Sequence, residues 1–350
     1  MCLYYQNINN FSRLSDTETE LISSDSGNSL NPLVTIVITV YKRKKYIYEA
    51  INSAINQKDI DFDYEIIVLC DDPNAELAFI DDYKHKKNIS FYRNFRNLGL
   101  FNNMNLAAKI AHGRYIAFLH DDDILYPEYL SEIGKFLLYK KQDAKCVIVN
   151  RDVIGLIEQK AINKNIVKYI RGIIFLPFRI VRKIFRKEYK LITLHEGLTY
   201  LLSNVYKAPS CGVVFERECF IESGGFNQDL WPAGDYYFFL KFNRNYPVYM
   251  LRRKLACYRW LDNLSQDKSI QYSSFESLAD FFQSRQPINS INRYYTFFST
   301  EVLYSKFLMI NKEYRNEIMD KFPQLKKYNV IKWNVFKIYN IVFHFFHDLV

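Results

Sequence analysis

Residues 115–123 read Tyr-Ile-Ala-Phe-Leu-His-Asp-Asp-Asp, an apolar run that ends on a histidine and three carboxylates. Tyr115 to Leu119 lacks the apolar–polar alternation of a strand with one wet face, so it reads as a strand buried on both sides of a parallel sheet. Just upstream, Asn102 to Ala111 has helical spacing and is stopped by Gly113. The acidic cluster therefore falls at the carboxyl end of a strand, the edge where loops of an open α/β sheet diverge and leave room for a ligand. Adjacent carboxylates raise one another's pKa or recruit a cation, and oxygen ligands suit a hard ion such as Mg²⁺ or Mn²⁺. An acidic triplet can also cap the helix that follows it. Its place directly behind a buried strand favours ligand binding.

Working outward, the same pattern repeats. Leu33 to Val40 (LVTIVITV) follows Pro32 as a β-branched run, and Tyr64 to Cys70 (YEIIVLC) is a second. Between them Tyr46 to Gln57 sets Ile47, Ala50, Ile51, Ala54 and Ile55 at helical spacing, which makes a crossover unit of about thirty-five residues. The second run also ends on acids, Asp71-Asp72, before Pro73. Ile89 to Tyr92 reads as a short strand, Glu128 to Lys140 as a helix after Pro127, and Cys146 to Asn150 as a further strand. The core is expected to resume near Thr193. A third acid, Asp235, follows the turn Trp231-Pro232-Ala233-Gly234 and opens an aromatic helix, Tyr236 to Phe242. The order of elements predicts an α/β protein with a mixed, mostly parallel sheet flanked by helices. Residues 1–30 are expected to be a polar, flexible lead-in, 31–266 the α/β domain, and 267–350 a helical C-terminal region.

Composition narrows the partners. The chain has 350 residues, 49% of them hydrophobic and 24% charged, enough for a large core, and a net charge of +9. Its six cysteines form no C-x-x-C pair, which suggests neither a zinc site nor a disulfide framework and fits the reducing cytoplasm. The N-terminal residues lack the basic start and apolar run of a secretory signal. No apolar stretch is long enough to span a bilayer. The positive charge favours an anionic partner. Residues 168–190 carry eight Lys or Arg against one Glu, with apolar residues on another face. That pattern predicts a basic amphipathic insertion able to lie peripherally on the anionic inner face of a plasma membrane, although Pro177 implies a bend and a core helix with a solvated edge reads the same way. Residues 330–350 are a second such candidate.

The ordered motifs resemble those of family 2 inverting glycosyltransferases, the nucleotide-diphospho-sugar transferases with the GT-A fold found in bacterial polysaccharide and cell-envelope biosynthesis. The resemblance runs from about Leu33 to Ser265. It is carried by VTIVITVYKRKKYIYEAINSAINQ, by YEIIVLCDD, by NLGLFNNMNLAAKIAHGRYIAFLHDDDILYPEYL, by Gly224-Gly225-Phe226 with Gly234-Asp235, and by Tyr258-Arg259-Trp260-Leu261. It implies that Thr39, Tyr41, Asp72, Asn105 and Asp121 contact the donor nucleotide, with Asp72 on the base. It places the metal on Asp122, with His120 and Asp123 as further candidates, and makes Asp235 the catalytic base. Trp231 with Ser210, Cys211 and Gly212 would shape the sugar and acceptor region. The chain departs from the family pattern at Met104, at His120 where the first Asp of a D-x-D motif is usual, at Gly234, and at Leu261 where a metal-binding histidine is frequent.

The resemblance implies an enzyme that moves a sugar, with inversion and metal assistance, from a nucleotide-diphosphate donor, a UDP-sugar first among them, to a hydroxyl of a glycan or lipid-linked saccharide. Two other readings compete. The departures suggest a donor-binding pseudoenzyme, against which stand the retained Asp72, Asp122 and Asp235. The charge and the 28 Tyr and 28 Phe suggest a nucleic-acid-binding module, yet most of these aromatics fall in core-like patterns, so no nucleic acid is expected. A nucleotidyltransferase would want a Gly-rich phosphate loop that the first strand lacks.

Overall fold

The computed structural model describes residues 8–15, 18–24, 31–42, 45–155, 188–192, 211–260 and 267–283, together with positions 316, 317 and 320. The strands are β1 (Thr19–Ser24), β2 (Val34–Val40), β3 (Tyr64–Cys70), β4 (Ile89–Asn94), β5 (Tyr115–His120), β6 (Ile124–Leu125), β7 (Cys146–Ile154), β8 (Tyr189–Ile192), β9 (Val213–Glu216) and β10 (Val248–Arg259). The helices are α1 (Ile47–Ile55), α2 (Leu100–Ile110), α3 (Tyr129–Lys135), α4 (Arg217–Glu222), α5 (Gly234–Asn245) and α6 (Lys268–Gln283).

All ten strands belong to one sheet of order β1-β4-β3-β2-β5-β9-β7-β10-β6, with β8 also paired to β10. β2 is parallel to β3 and β5, β3 to β4, and β10 to β7, while β1, β6, β8 and β9 pair antiparallel. β9 lies antiparallel between β5 and β7, so those two run the same way and six strands share one direction.

Period two along a strand sorts side chains onto the two faces. On β2, Val34, Ile36, Ile38 and Val40 join a core on one face with Ile47, Ala50, Ile51 and Ala54 of α1 and Tyr129, Leu130 and Ile133 of α3. Val37 faces a second core with Phe101, Met104 and Leu106 of α2, Phe220 of α4 and Phe238 and Phe242 of α5. Each Val, Ile, Leu, Met or Phe side chain among these, fully buried, contributes about 1.5–3 kcal/mol of transfer free energy. The uninterrupted apolar runs arise because both faces are covered.

The structure corrects several expectations. Far from being a loose lead-in throughout, the N-terminal stretch forms a 3₁₀ turn at Asn10–Arg13 with Phe11 buried, and β1 pairs with β4 at the sheet edge. The helix expected over 128–140 ends at Lys135 and continues as a π-helical turn, Phe136–Lys140. β7 continues to Ile154 because β10 pairs along its whole length. The sheet resumes at Tyr189, before Thr193, so Tyr189 and Lys190 of the basic segment are strand residues paired to β10. Residues 168–187 and the tail 330–350 lie outside the described residues. The chain divides into two compact units, one comprising Leu3–Ile154 and Tyr189–Trp260, the other Gly155–Glu188 and Leu261–Val350. In the second, α6 spans Lys268–Gln283. Among the described residues, no helix is long and apolar enough to cross a membrane.

Candidate donor-binding and catalytic site

Parallel pairing of β2 with β3 and β5 sets their carboxyl ends level: Val40 stands opposite Cys70 and Thr39 opposite His120. The segments that follow, Tyr41, Asp71-Asp72 and Asp121 to Asp123, thus emerge along one edge. Thr39 Oγ1 lies 3.3 Å from His120 Nδ1. Beside them is a cleft of ≈ 290 Å³ whose lining includes Val40, Lys42, Cys70, Asp72, Leu77 and Phe79. Its floor is apolar and its rim charged. Tyr41 is 41% exposed and carries Lys42 Nζ over its ring at 5.0 Å. Asp72 accepts the Asn74 N–H at 3.0 Å, which holds its carboxylate in the turn at the cleft.

The neighbouring acid does a different job. Asp71 is buried and accepts from Asn94 Nδ2 (2.8 Å), the Leu98 N–H (2.8 Å) and the Gly99 N–H (2.9 Å). Burial raises its pKa against the pull of these donors. Asp71 ties the end of β3 to the turn that starts α2, where Gly99 at φ 82 needs the left-handed region.

The acidic triplet divides in the same way. Asp121, Asp122 and Asp123 are all buried, and Asp123 is fully so. Asp123 Oδ1 accepts the Arg259 N–H at 2.9 Å. Its pKa is pushed up to about 7, first by burial and then by the charge of Asp122, with the Arg259 N–H and the Cys211 thiol opposing. Asp123 therefore braces the turn through Oδ1, while its buried Oδ2 accepts no hydrogen bond that would remove it from the metal candidates. Arg259 completes the brace: its Nε donates to the Asp122 carbonyl at 2.9 Å, an Nη donates to Glu49 at 2.7 Å, and the guanidinium lies 3.9 Å from the Tyr46 ring centre. No spacing rule in the sequence pointed to that role.

Among the described residues, no three His, Cys, Asp or Glu converge as a metal site. The residues present fit instead the mode in which Mg²⁺ is held by one or two carboxylates plus substrate phosphate oxygens. The carboxylates of the turn, Asp122 and Asp123, with His120 next to them, are the groups such a mode would draw on.

Asp235 opens α5 and accepts the Tyr236 N–H at 2.9 Å. It keeps part of its surface accessible while lying deep in the protein, and burial pushes its pKa up to about 7 against that N–H and the nearby cation Arg151. Arg151 acts on Asp123 as well and lies 4.9 Å from the Tyr258 ring centre. Trp231 is 39% exposed and packs on Phe101 at 5.8 Å between ring centres. Three other expectations change. Asn105 is wholly buried and exchanges two hydrogen bonds with the Phe226 backbone, at 2.7 and 2.9 Å, so its amide holds that turn and is not turned toward a nucleotide. Cys211 is in the core with its thiol pKa raised by burial, and Gly212 is buried at φ 73, giving its N–H to the Phe118 carbonyl. Both support the sheet below the site. Ser210 lies outside the described residues.

Comparison with known proteins gives this edge a context. Residues 35–199 match the model of Glycosyl transferase family 2. An uncharacterized glycosyltransferase of Methanocaldococcus jannaschii is 34% identical over 182 residues, 49% of this chain and 57% of the relative. Another, from Rickettsia conorii, is 26% identical over 334 residues, 90% of this chain and 51% of the relative. The chain thus spans between about half and three fifths of these relatives' own length. Among solved structures, S. aureus TarS 1–349 in complex with UDP-GlcNAc superposes with a TM-score of 0.54 at 15% identity, covering 91% of this chain and 81% of that one. The mannosyltransferase PcManGT of Pyrobaculum calidifontis, in complex with GDP-Man and Mn²⁺, gives 0.50 at 12% identity, covering 94% and 89%. The fold is that of GT-A glycosyltransferases, and the part of the chain similar to glycosyl transferase family 2 is residues 35–199.

Proposed function

We propose that this protein transfers a sugar from a nucleotide-diphosphate donor to a hydroxyl, inverting the anomeric centre. The observation that carries the reading is electrostatic and spatial. Arg151 acts on both Asp123 of the acidic turn and Asp235, which supports a reading in which the acidic turn and the base candidate serve one centre.

The cleft at Asp72 takes the base. A carboxylate oxygen accepts hydrogen bonds, so it suits a base with a ring N–H on its pairing edge, uracil or guanine, over adenine or cytosine, whose ring nitrogens there are acceptors. The UDP-GlcNAc and GDP-Man bound by the two structural neighbours are of those classes; a UDP-sugar is the donor proposed. Asp122, with His120 beside it, would hold Mg²⁺ or Mn²⁺, which when bound offsets the charge growing on the leaving diphosphate.

Asp235 supplies the proton acceptor. A carboxylate whose pKa is pushed up to about 7 takes a proton from a hydroxyl more readily than an ordinary one, and still ionises near neutrality. Its oxygen removes the acceptor's hydroxyl proton as that hydroxyl forms the new bond to the anomeric carbon and the bond to diphosphate breaks on the far face. The acceptor proposed is a glycan or lipid-linked saccharide, and peripheral contact with an anionic membrane would suit the latter.

Asp235→Asn tests the reading. Loss of a general base lowers turnover by about 10²- to 10⁴-fold, while donor binding, read as thermal stabilisation by UDP-GlcNAc with Mn²⁺, stays within about twofold. Turnover near wild type would sink the assignment. Binding of donor with no transfer to any hydroxyl, wild type and variant alike, would favour the pseudoenzyme.

A further inference from the structure

We infer that the N-terminal segment Asn9–Leu14 is a working part of the catalytic centre, a strap whose Asn10 is a positioning residue for the loop 224–235 that carries Asp235. The proposal rests on the reading of Asp235 as base and extends it to residues before the matched stretch 35–199.

The loop is held from two sides. On one, Asn105 of α2 pairs with both backbone groups of Phe226. On the other, Asn10 is buried and gives its backbone N–H to the Gly224 carbonyl at 3.1 Å, with Nδ2 reaching the carbonyls of Gly224 at 2.9 Å and Gly225 at 3.4 Å. Two asparagines thus grip three consecutive residues, Gly224 to Phe226. Both glycines are at positive φ, 84 and 63. A Cβ on Gly224 would come within 2.2 Å of the Ile8 carbonyl oxygen, so the strap lies directly against the turn.

Neighbouring contacts extend the grip. Phe11 sets its ring edge-on to Phe220 at 6.2 Å between centres, and Arg13 pairs with Asp229 at 2.7 Å. Asn9 caps the strap's own 3₁₀ turn by accepting the Phe11 N–H at 3.0 Å. Farther along the loop, Gln228 accepts the Phe101 N–H at 2.9 Å. Gly234 fits so closely that a Cβ there would meet Phe101 at 2.6 Å and the Asn227 carbonyl at 2.7 Å. A turn pinned at 224–226 and seated at 234 leaves little freedom to the residue that follows, Asp235. The exposed pair at Arg13 contributes little by itself. The buried donors of Asn10 are the part that matters, because each carbonyl left unpaired in a buried turn carries a desolvation cost.

The test uses the full chain. Asn10→Asp keeps the side chain's shape and removes the Nδ2 donor. Amide hydrogen exchange over 224–236 is expected to quicken by about tenfold, with residues 64–70 unchanged, as for local opening of one poorly tethered unit. UDP release from UDP-GlcNAc should fall about tenfold in kcat with donor KM within about twofold, and the acid limb of its pH profile should move down from about 7 as the loosened base gains water. Unchanged exchange over 224–236 overturns the strap. Faster exchange with an unmoved pH midpoint and kcat overturns the positioning role and leaves a stability contact. If Asn10→Asp does not fold, Asn10→Ala decides, because it removes the Nδ2 donor without introducing a charge; about tenfold faster exchange over 224–236 is expected, and no change overturns the proposal. Asp235→Asn is run alongside: wild-type release by that variant refutes the functional reading while leaving the exchange result standing.

Discussion

The backbone N–H of Arg259 donates to Asp123 Oδ1 at 2.9 Å, joining the last residue of β10 to the acidic turn 136 residues earlier. Its side chain continues the link through the Asp122 carbonyl to Glu49 and Tyr46 at the start of α1. Asp122 is therefore held by a brace that does not use its own carboxylate.

Removing that brace should cost stability and donor affinity together. Arg259→Met keeps the apolar stem and deletes the guanidinium, and unfolding by urea should show a loss of about 2 kcal/mol, the effect of a buried charged hydrogen-bond donor. Stabilisation by UDP-GlcNAc with Mn²⁺ should shrink in parallel. Arg259→Lys should restore little, because one ammonium cannot serve the carbonyl, Glu49 and the ring at once.

Asp235 predicts opposite trends for stability and activity with pH. Its folded-state pKa, about 7, lies above its ordinary value of 3.8, so the folded chain favours the protonated form. Its contribution is most favourable below about pH 4 and is progressively lost as pH rises through 7. Turnover runs the other way, falling about tenfold per pH unit below the pKa as the base is protonated. In Asp235→Asn, urea midpoints measured from pH 4 to 8 should lose this part of the slope, and the variant should exceed the wild type in stability at pH 8.

Gly224→Ala should be harmful for two separate reasons. The backbone is at φ 84, which L side chains rarely adopt, and the added methyl would press on the Ile8 carbonyl. A loss of about 2 kcal/mol or more is expected from chemical denaturation. Gly225→Ala should behave alike, through contact with Asn105 Oδ1 at 2.5 Å.

The resemblance of His120-Asp121-Asp122 to a D-x-D motif sets His120 at the position of its first Asp. Supplying that carboxylate, His120→Asp, adds a hard oxygen ligand beside Asp122, and Mn²⁺ should then bind about tenfold more tightly in the presence of UDP, read as a larger shift in melting temperature. No gain in Mn²⁺ response would place the ion elsewhere.

The strands and the edge they share were legible in the sequence because their signals are local. Val34 to Val40 and Tyr64 to Cys70 are β-branched and apolar without alternation, and only a sheet covered on both faces buries such runs. Motif order then sufficed to place Thr39, Tyr41, Asp72, Asp122 and Asp235 at the carboxyl ends of strands or at the start of a helix. What the sequence could not do was sort neighbours of identical type. Asp71 and Asp72 are chemically the same, as are Asp122 and Asp123. Which of each pair is spent on the scaffold depended on Asn94, Leu98, Gly99 and Arg259 arriving from elsewhere in the chain. The same holds for Asn105, whose amide is taken by Phe226, and for Asn10, whose polar surroundings read as a loose terminus until the Gly224 carbonyl was found against it. Composition and periodicity describe a residue's own segment. A buried hydrogen bond between residues a hundred or more positions apart leaves no local trace, and only the tertiary structure decides it.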